Sequence, residues 1–371
     1  MRPYTILQTI ETAGPGGAET VLLNLTSHLD PDRFRTVVVL PPGRWLPKQL
    51  EERRVPTVIA ESRSWHDPTL LRKMAQVIRE EHIDLIHSHL PDQNFYSCVV
   101  GLWKGRKTIV TYHGAPQLAG NGAKNAFKTW VVRHSAAMVV AVSEYLRRLL
   151  IESGFPPAKV SRIYNGVDLD RYTNAPAGRL RAELGLAENT PLVGMVGNIR
   201  PSKGYEYFIA AARKVADALP EVQLVAVGEV DPQIGGRLVE LVRQFGLEKR
   251  FCFLGFRSDV EAVLRDLDVF VLSSTSEGLS IATIEAMAAG APVVVTRCGG
   301  PEEIVEDGRT GCLVPPGDAA ALASRIITLV KDRPLALAMS GTARREVQSK
   351  FSLAGMVREY EALYDRCLSS D

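Results

Sequence analysis

A chain of 371 residues with 46% hydrophobic and 23% charged side chains, 30 glycines and 22 prolines has the make-up of a globular protein long enough for two domains, which excludes disordered and fibrous classes. No apolar run nears the roughly 18 residues of a membrane span, and the chain opens in a strand-like segment without a signal-peptide core, so a cytoplasmic protein is expected. The formal net charge is only +2, but residues 1–180 carry 23 basic and 16 acidic side chains (+7) and the remainder carries −5.

That asymmetry reads either as an ordinary solvated surface or as a basic first half facing something anionic, such as a phospholipid surface or a pyrophosphate-linked acceptor. No dense Arg/Lys run is interleaved with aromatics, so nucleic acid is not an expected partner. The five cysteines form no CxxC pair, which suits a reducing compartment and argues against disulfides and structural zinc. No metal and no cofactor is expected.

Short β-branched runs alternate with amphipathic stretches along the chain, the pattern of βα units on parallel sheets. Strands are predicted at 5–10, 36–40, 55–59, 85–87, 108–112 and 138–142, then at 192–196, 223–227, 251–253, 269–272, 292–295 and 311–314. This is an α/β protein with two sheets of about six strands. The helix after Glu19 places Val21, Leu22, Leu25 and Leu29 on one apolar stripe. Residues 168–179 are polar and hold Pro and Gly, so they read as a linker with the boundary near 175. The expected domains are 1–175 and 176–350. A final helix within 351–371, with Met356, Tyr360, Leu363, Tyr364 and Leu368 near one face, is expected to pack back across the first.

After the first strand comes a glycine loop, Gly14, Gly16 and Gly17, leading into a helix. Glycines at such a turn let backbone approach a ligand, and helix-start amides attract anions; a plain tight turn is the competing reading, and the spacing is not GxGxxG. The second half opens alike: Gly197, Arg200, Lys203 and Gly204 stand between a strand and a helix. Two cations at a helix N-terminus oppose its dipole, so phosphate binding explains them better than a structural role. Glu277 and Glu285 follow strand 269–272; a helix expected to begin near Leu279 puts Glu277 just before its first turn and Glu285 inside it, with Ile281, Ile284 and Met287 facing the core. A spacing of eight, about 12 Å if helical, rules out one shared acid/base pair and suits a grip on two parts of an extended ligand. Taken singly, each carboxylate also reads as an ordinary helix or surface charge.

Glu277, Gly278 and Glu285, the following EAMAAGAPVV and then GGPEEIV at 299–305, resemble the donor-site signature of retaining glycosyltransferase family 4. Gly16, Gly17, Ala18 and Glu19 match its first-domain loop, Thr111 to Gly114 its active-site histidine segment, Asn165 to Asp168 the segment entering the linker, and Arg200 and Lys203 its phosphate cations. The resemblance implies a GT-B architecture, two Rossmann-like parallel-sheet domains facing a central cleft. It further implies transfer of a hexosyl group from a UDP- or GDP-sugar to a hydroxyl of a glycan or lipid-linked acceptor, with retention and without a metal. Carried over, Arg200 and Lys203 hold the diphosphate with backbone at Gly197, Gly278 and Leu279. Glu285 bonds the ribose, Glu277 the transferred sugar, and the Gly16–Gly17 loop closes over the site. His113 is read as positioning the sugar, and the general-base role is left empty because the leaving phosphate can take the acceptor proton.

His87 and His89 share a strand face and are read as cleft or acceptor contacts, metal being the lesser alternative without a third ligand. Lys104, Arg106, Lys107, Lys124, Lys128, Trp130 and Arg133 read equally as a solvated face or as a dock for anionic membrane. Ser280 stands where many relatives differ, leaving the sugar open, and acceptor selectivity is expected in loops 41–47 and 116–128. An epimerase or hydrolase of the same fold, and a binding-only scaffold, are the alternative functions.

Overall fold

The computed structural model describes residues 2–62, 67–115 and 122–369. Its chain divides into two compact units, Met1–Gly166 with Leu353–Asp371, and Val167–Ser352. The first holds strands β1 (Tyr4–Ile10), β2 (Phe34–Leu40), β3 (Thr57–Ile59), β4 (Leu85–His89), β5 (Lys107–Tyr112), β6 (Met138–Ala141) and β7 (Val160–Arg162). They pair in the order β3-β2-β1-β4-β5-β6-β7, all parallel. Near-continuous burial along β1, β2 and β4 explains their unbroken apolar runs, since helices cover both faces of such a sheet. Strand β7 was not predicted: it is three residues long and only Val160 is buried, too little for any period to register.

The helix Leu353–Ser369 belongs to this unit, with Tyr360 and Tyr364 fully buried. Its outer edge is tied by Arg33 to Glu361 (3.3 Å) and Asp365 (2.5 Å). The glycine loop after β1 is pinned by Leu46, whose amide donates to Ala13 O at 3.0 Å while its side chain joins Ile10, Ala13, Leu22 and Leu40 in one apolar cluster. Loop 41–47 therefore ends in a helix, Trp45–Glu52.

The second unit holds β8 (Leu192–Val196), β9 (Gln223–Val227), β10 (Phe251–Gly255), β11 (Val269–Leu272), β12 (Val293–Thr296) and β13 (Cys312–Val314), paired in the order β10-β9-β8-β11-β12-β13 and again parallel. The strand order reverses between β8 and β11, so the loops leaving these two strands lie side by side at the sheet's C-terminal edge, the place where open α/β sheets bind ligands.

Residues 168–179 are part of this unit, and the division falls at Gly166. The Val167 amide donates to Phe351 O at 2.9 Å. Tyr172, in the helix Leu169–Thr173, is buried. The buried Asp266 carboxylate accepts the amides of Gly178, Leu180 and Arg181. The polar composition that reads as a solvated connector is therefore satisfied internally.

Candidate functional site

At the reversal point of the second sheet, the loop after β8 meets the loop after β11. Lys203 Nζ stands 2.6 Å from Glu277 Oε1, and Ser274 Oγ donates to the same oxygen at 2.6 Å. The Lys203 side chain is 26% exposed and that of Glu277 only 10%, so the pair is a charge-assisted contact shielded mainly on the carboxylate side. Residues 74 apart in sequence meet because β8 and β11 are neighbours.

Backbone geometry holds both loops. Gly204 has φ +64, and a Cβ there would lie 2.2 Å from Ser273 O, while Ser273 Oγ donates to Gly204 O at 2.8 Å. Only glycine permits that crossing. Gly197, φ +147, has open space where a Cβ would stand, and its carbonyl accepts from the buried Tyr205 hydroxyl at 2.6 Å. Burial and the nearby Glu277 push the Tyr205 phenol up, so it stays a donor. Arg200 is exposed and makes no ion pair among the described residues.

Glu277, Gly278 and Leu279 are clasped by the loop after β12. Glu277 N donates to Cys298 O and Gly300 N to Glu277 O, each at 3.1 Å. A Cβ on Gly300 would lie 2.2 Å from Gly278 O. The helix is Ile281–Ala289 and starts later than the expected Leu279, because Ser280 caps it by accepting from Thr283 N at 3.3 Å. Glu277 therefore lies in the loop proper. Ile284 and Met287 are fully buried as core residues, whereas Ile281 is only half-buried.

Glu285, on that helix, does not join the Lys203–Glu277 pair; Tyr172 Oη donates to its Oε1 at 2.5 Å. Burial pushes the Glu285 carboxyl up, and Tyr172 opposes the shift. Sequence reasoning missed Tyr172 and Ser274. The aromatic in a polar segment was the one signal available for the first, and nothing marked the second.

In the first unit, Gly16 and Gly17 open the helix Gly17–His28, where a Cβ on Gly16 would meet Glu19 Oε2 at 2.4 Å. His113 follows β5, its Nε2 3.0 Å from His89 Nδ1. Burial lowers its pKa to about 3, keeping the ring neutral, and lowers that of His87 likewise to about 3. His87 and His89 are fully buried, bonded to Tyr364, Thr111 and Gln8. They are interior groups of this unit, which corrects the acceptor-contact reading. Among the described residues no three His, Cys, Asp or Glu are placed to hold a metal ion.

The basic segment is divided. Lys128 is buried and paired with Asp92 at 2.5 Å, Lys107 donates to Cys367 O at 3.1 Å, and Arg133 bonds Ser153 O. Leu102, Trp103, Phe127 and Trp130 are exposed, beside exposed Arg106 and Lys124, with the Lys104 ammonium over the Trp103 ring at 4.1 Å. No helix among the described residues is long and apolar enough to cross a membrane. Of loop 116–128, residues 116–121 lie outside the described residues.

Two doubly wound parallel sheets with a cation and a carboxylate at the reversal point define the class: a GT-B protein built of two Rossmann-like domains. The Glycosyltransferase Family 4 profile matches residues 15–171 and the Glycosyl transferases group 1 profile residues 177–346. The chain belongs to this family and is a glycosyltransferase. It is 28% identical over 311 residues to N-acetyl-alpha-D-glucosaminyl L-malate synthase of Bacillus anthracis, covering 82% of this chain and 81% of that one. It is 27% identical over 327 residues to the UDP-Gal:alpha-D-GlcNAc-diphosphoundecaprenol alpha-1,3-galactosyltransferase of Escherichia coli, covering 84% and 82%. Among solved structures, Anabaena Alr3699/HepE in complex with UDP-glucose superposes with a TM-score of 0.87 at 25% identity over 97% of this chain and 99% of that one. None of these relatives is an epimerase or hydrolase, so those alternatives gain no support.

Proposed function

We propose that this glycosyltransferase moves a hexosyl group from a nucleoside diphosphate sugar to a hydroxyl of a glycan or lipid-linked acceptor, with retention and without a metal ion. The observation that carries the reading is the Lys203–Glu277 pair at the reversal point of the second sheet, with Arg200 exposed three residues before Lys203. Departure of a nucleoside diphosphate develops negative charge on phosphate oxygens, and fixed cations and amides there stabilise the transition state. Arg200 and Lys203 supply that charge from the chain itself, with backbone at Gly197, Gly278 and Leu279 shaping the phosphate site.

Glu277 takes hydroxyls of the transferred sugar, and binding exchanges part of its bond with Lys203 for ligand contacts. Glu285 takes the ribose, its carboxylate oriented by Tyr172. In a same-face displacement the acceptor oxygen bonds the anomeric carbon as the bond to phosphate breaks, and the departing phosphate oxygen receives the acceptor proton. No protein base is required.

The galactosyltransferase that accepts on diphosphoundecaprenol supports a lipid-linked acceptor, and the UDP-glucose complex of the Anabaena protein supports a UDP-sugar donor. Peripheral attachment to the inner face of an anionic membrane, through Leu102, Trp103, Phe127 and Trp130 with Lys104, Arg106 and Lys124, fits such an acceptor. The test is thermal stabilisation by UDP-, GDP- and ADP-sugars with and without magnesium. A donor at about 100 times its Kd adds about 2.7 kcal/mol. A selective shift unchanged by magnesium is expected; a shift that requires magnesium, or none from any sugar nucleotide, would refute the reading.

A further inference from the structure

Within the second unit, the short helix Leu169–Thr173 is fastened at two adjacent residues. Arg171 Nη2 donates to Glu261 Oε2 at 2.7 Å and to Ser258 O at 3.2 Å, while Tyr172 Oη donates to Glu285 Oε1 at 2.5 Å. The Tyr172 ring is 5% exposed, so packing holds the phenol in place as well as its bond does. Burial and the neighbouring carboxylate push its pKa up, and it stays a donor. Among the described residues this phenol is the one hydrogen-bond donor to the Glu285 carboxylate, so Oε2 is left to accept from something else. The charged groups facing Glu285 are Arg171, from the same short helix, and Glu261, from the helix Val260–Asp266, and these two are paired with each other. Arg265 and Arg344 bond Ala289 O, at the last residue of the helix that carries Glu285. Burial favours the protonated carboxyl, and the phenol is the direct bond that favours the ionised form.

We propose that Tyr172 is the positioning residue for nucleotide selection: by engaging Oε1 it fixes Oε2 of Glu285 as the free acceptor for a ribose hydroxyl, so that preference for ribonucleoside over deoxyribonucleoside diphosphates passes through the phenol. The inference rests on Glu285 taking the ribose, as proposed above. A site built to bond a hydroxyl rejects the analogue lacking it, because its own shielded group is left without a partner, and the rejection is stronger when that group is ionised. Without the phenol, the half-buried carboxyl is free to turn and takes up a proton more readily. A protonated carboxyl accepts less strongly and carries a donor of its own, so it distinguishes ribose from deoxyribose poorly.

The experiment is titration calorimetry of the full chain with UDP, 2′-deoxy-UDP and 3′-deoxy-UDP, and with the three guanosine counterparts, from about pH 6 to 8. The readout is the ratio of Kd values, deoxy to ribo, in which titration of the diphosphate itself cancels. The wild type is expected to disfavour at least one deoxy analogue about tenfold or more, with little change over this range. Tyr172→Phe keeps the ring, so the unit is expected to fold; its ratio should drop several-fold at the upper end of the range and approach one at the lower end, with binding of the disfavoured deoxy analogue little changed. A merely structural role lowers the melting temperature and moves both Kd values together. A wild-type ratio in Tyr172→Phe throughout the range therefore overturns the proposal. Glu285→Gln separates the two readings. If it abolishes the ratio while Tyr172→Phe keeps it, the ribose contact stands and the role of Tyr172 falls. If Glu285→Gln itself keeps the ratio, or the wild type binds neither UDP nor GDP, the donor-site reading fails and the proposal fails with it.

Discussion

Replacing Lys203 by Met separates what the ammonium does for the fold from what it does for transfer. The substitution keeps most of the stem but leaves Glu277, whose side chain is 10% exposed, with the Ser274 hydroxyl as its remaining side-chain donor. Losing a charge-assisted bond to a shielded carboxylate costs about 2–3 kcal/mol. For a unit of this size that is a fall in Tm of about 4–12 °C. Glu277→Gln in the same chain removes the stranded charge, so the double variant should recover most of that loss. Transfer should not recover. If the ammonium stabilises departing phosphate, its absence costs about 10²–10³ in kcat whatever stands at position 277. Scanning calorimetry and a sugar-transfer assay on the wild type, both single variants and the double variant give the two cycles. Full transfer in Lys203→Met, or transfer restored together with stability in the double variant, would refute the phosphate role and leave the pair purely structural.

Glycine substitutions should divide by what a Cβ meets. Gly300→Ala drives a methyl to 2.2 Å from Gly278 O and should cost about 3 kcal/mol or more with loss of transfer, whereas Gly14→Ala meets nothing within 4 Å and should leave calorimetric stability within about 0.5 kcal/mol. Glu11 accepts the amides of Asp92 and Gln93 at 2.7 and 3.0 Å, yet burial pushes its carboxyl up to about 7. The native state then keeps a proton that the unfolded chain releases. The stabilisation is present below about pH 4.5 and is lost as pH rises toward about 7, at most about 3 kcal/mol. Denaturant titrations should show Glu11→Gln flattening that slope; an unchanged slope would place its origin elsewhere. For the membrane surface, Lys104, Arg106 and Lys124 changed to Gln should weaken partition to anionic vesicles by about 1 kcal/mol each, read by sedimentation. Equal binding to neutral vesicles would sink the electrostatic part of the reading.

The parts of this protein that are legible in its sequence are those whose neighbours follow from chain order. A run such as 269–272, apolar throughout, announces a strand covered on both faces, and helices between strands make the sheet parallel. Once the strand order is doubly wound, the loop after the first strand of the unit must lie beside the loop after the fourth, so Lys203 and Glu277 were bound to be close although 74 residues separate them. What stayed illegible has its partner on an element that returns from elsewhere. Tyr172 sits in a segment whose Pro, Gly and charges read as a solvated connector, and only the helix carrying Glu285 makes sense of its ring. His87 and His89 alternate on a strand as ligands or cleft residues would, and only the buried tyrosines of the last helix reveal them as interior groups.

The same contrast explains why the two glutamates, eight residues apart, act separately. The sequence places Glu277 just before a helix and Glu285 inside it, and their spacing suggests a grip on two parts of one ligand. Ser280 caps the helix after Glu277, which leaves one carboxylate in a loop answering to Lys203 and the other on a helix answering to Tyr172. The first partner is a cation that a diphosphate can recruit; the second is a neutral phenol that orients without supplying charge. A ligand that meets both therefore finds a cation beside one carboxylate and a phenol beside the other. In the proposed reading the cation faces the diphosphate and the phenol-held carboxylate the ribose, and their separation arises from which strand ends and which helix begins between residues 272 and 281.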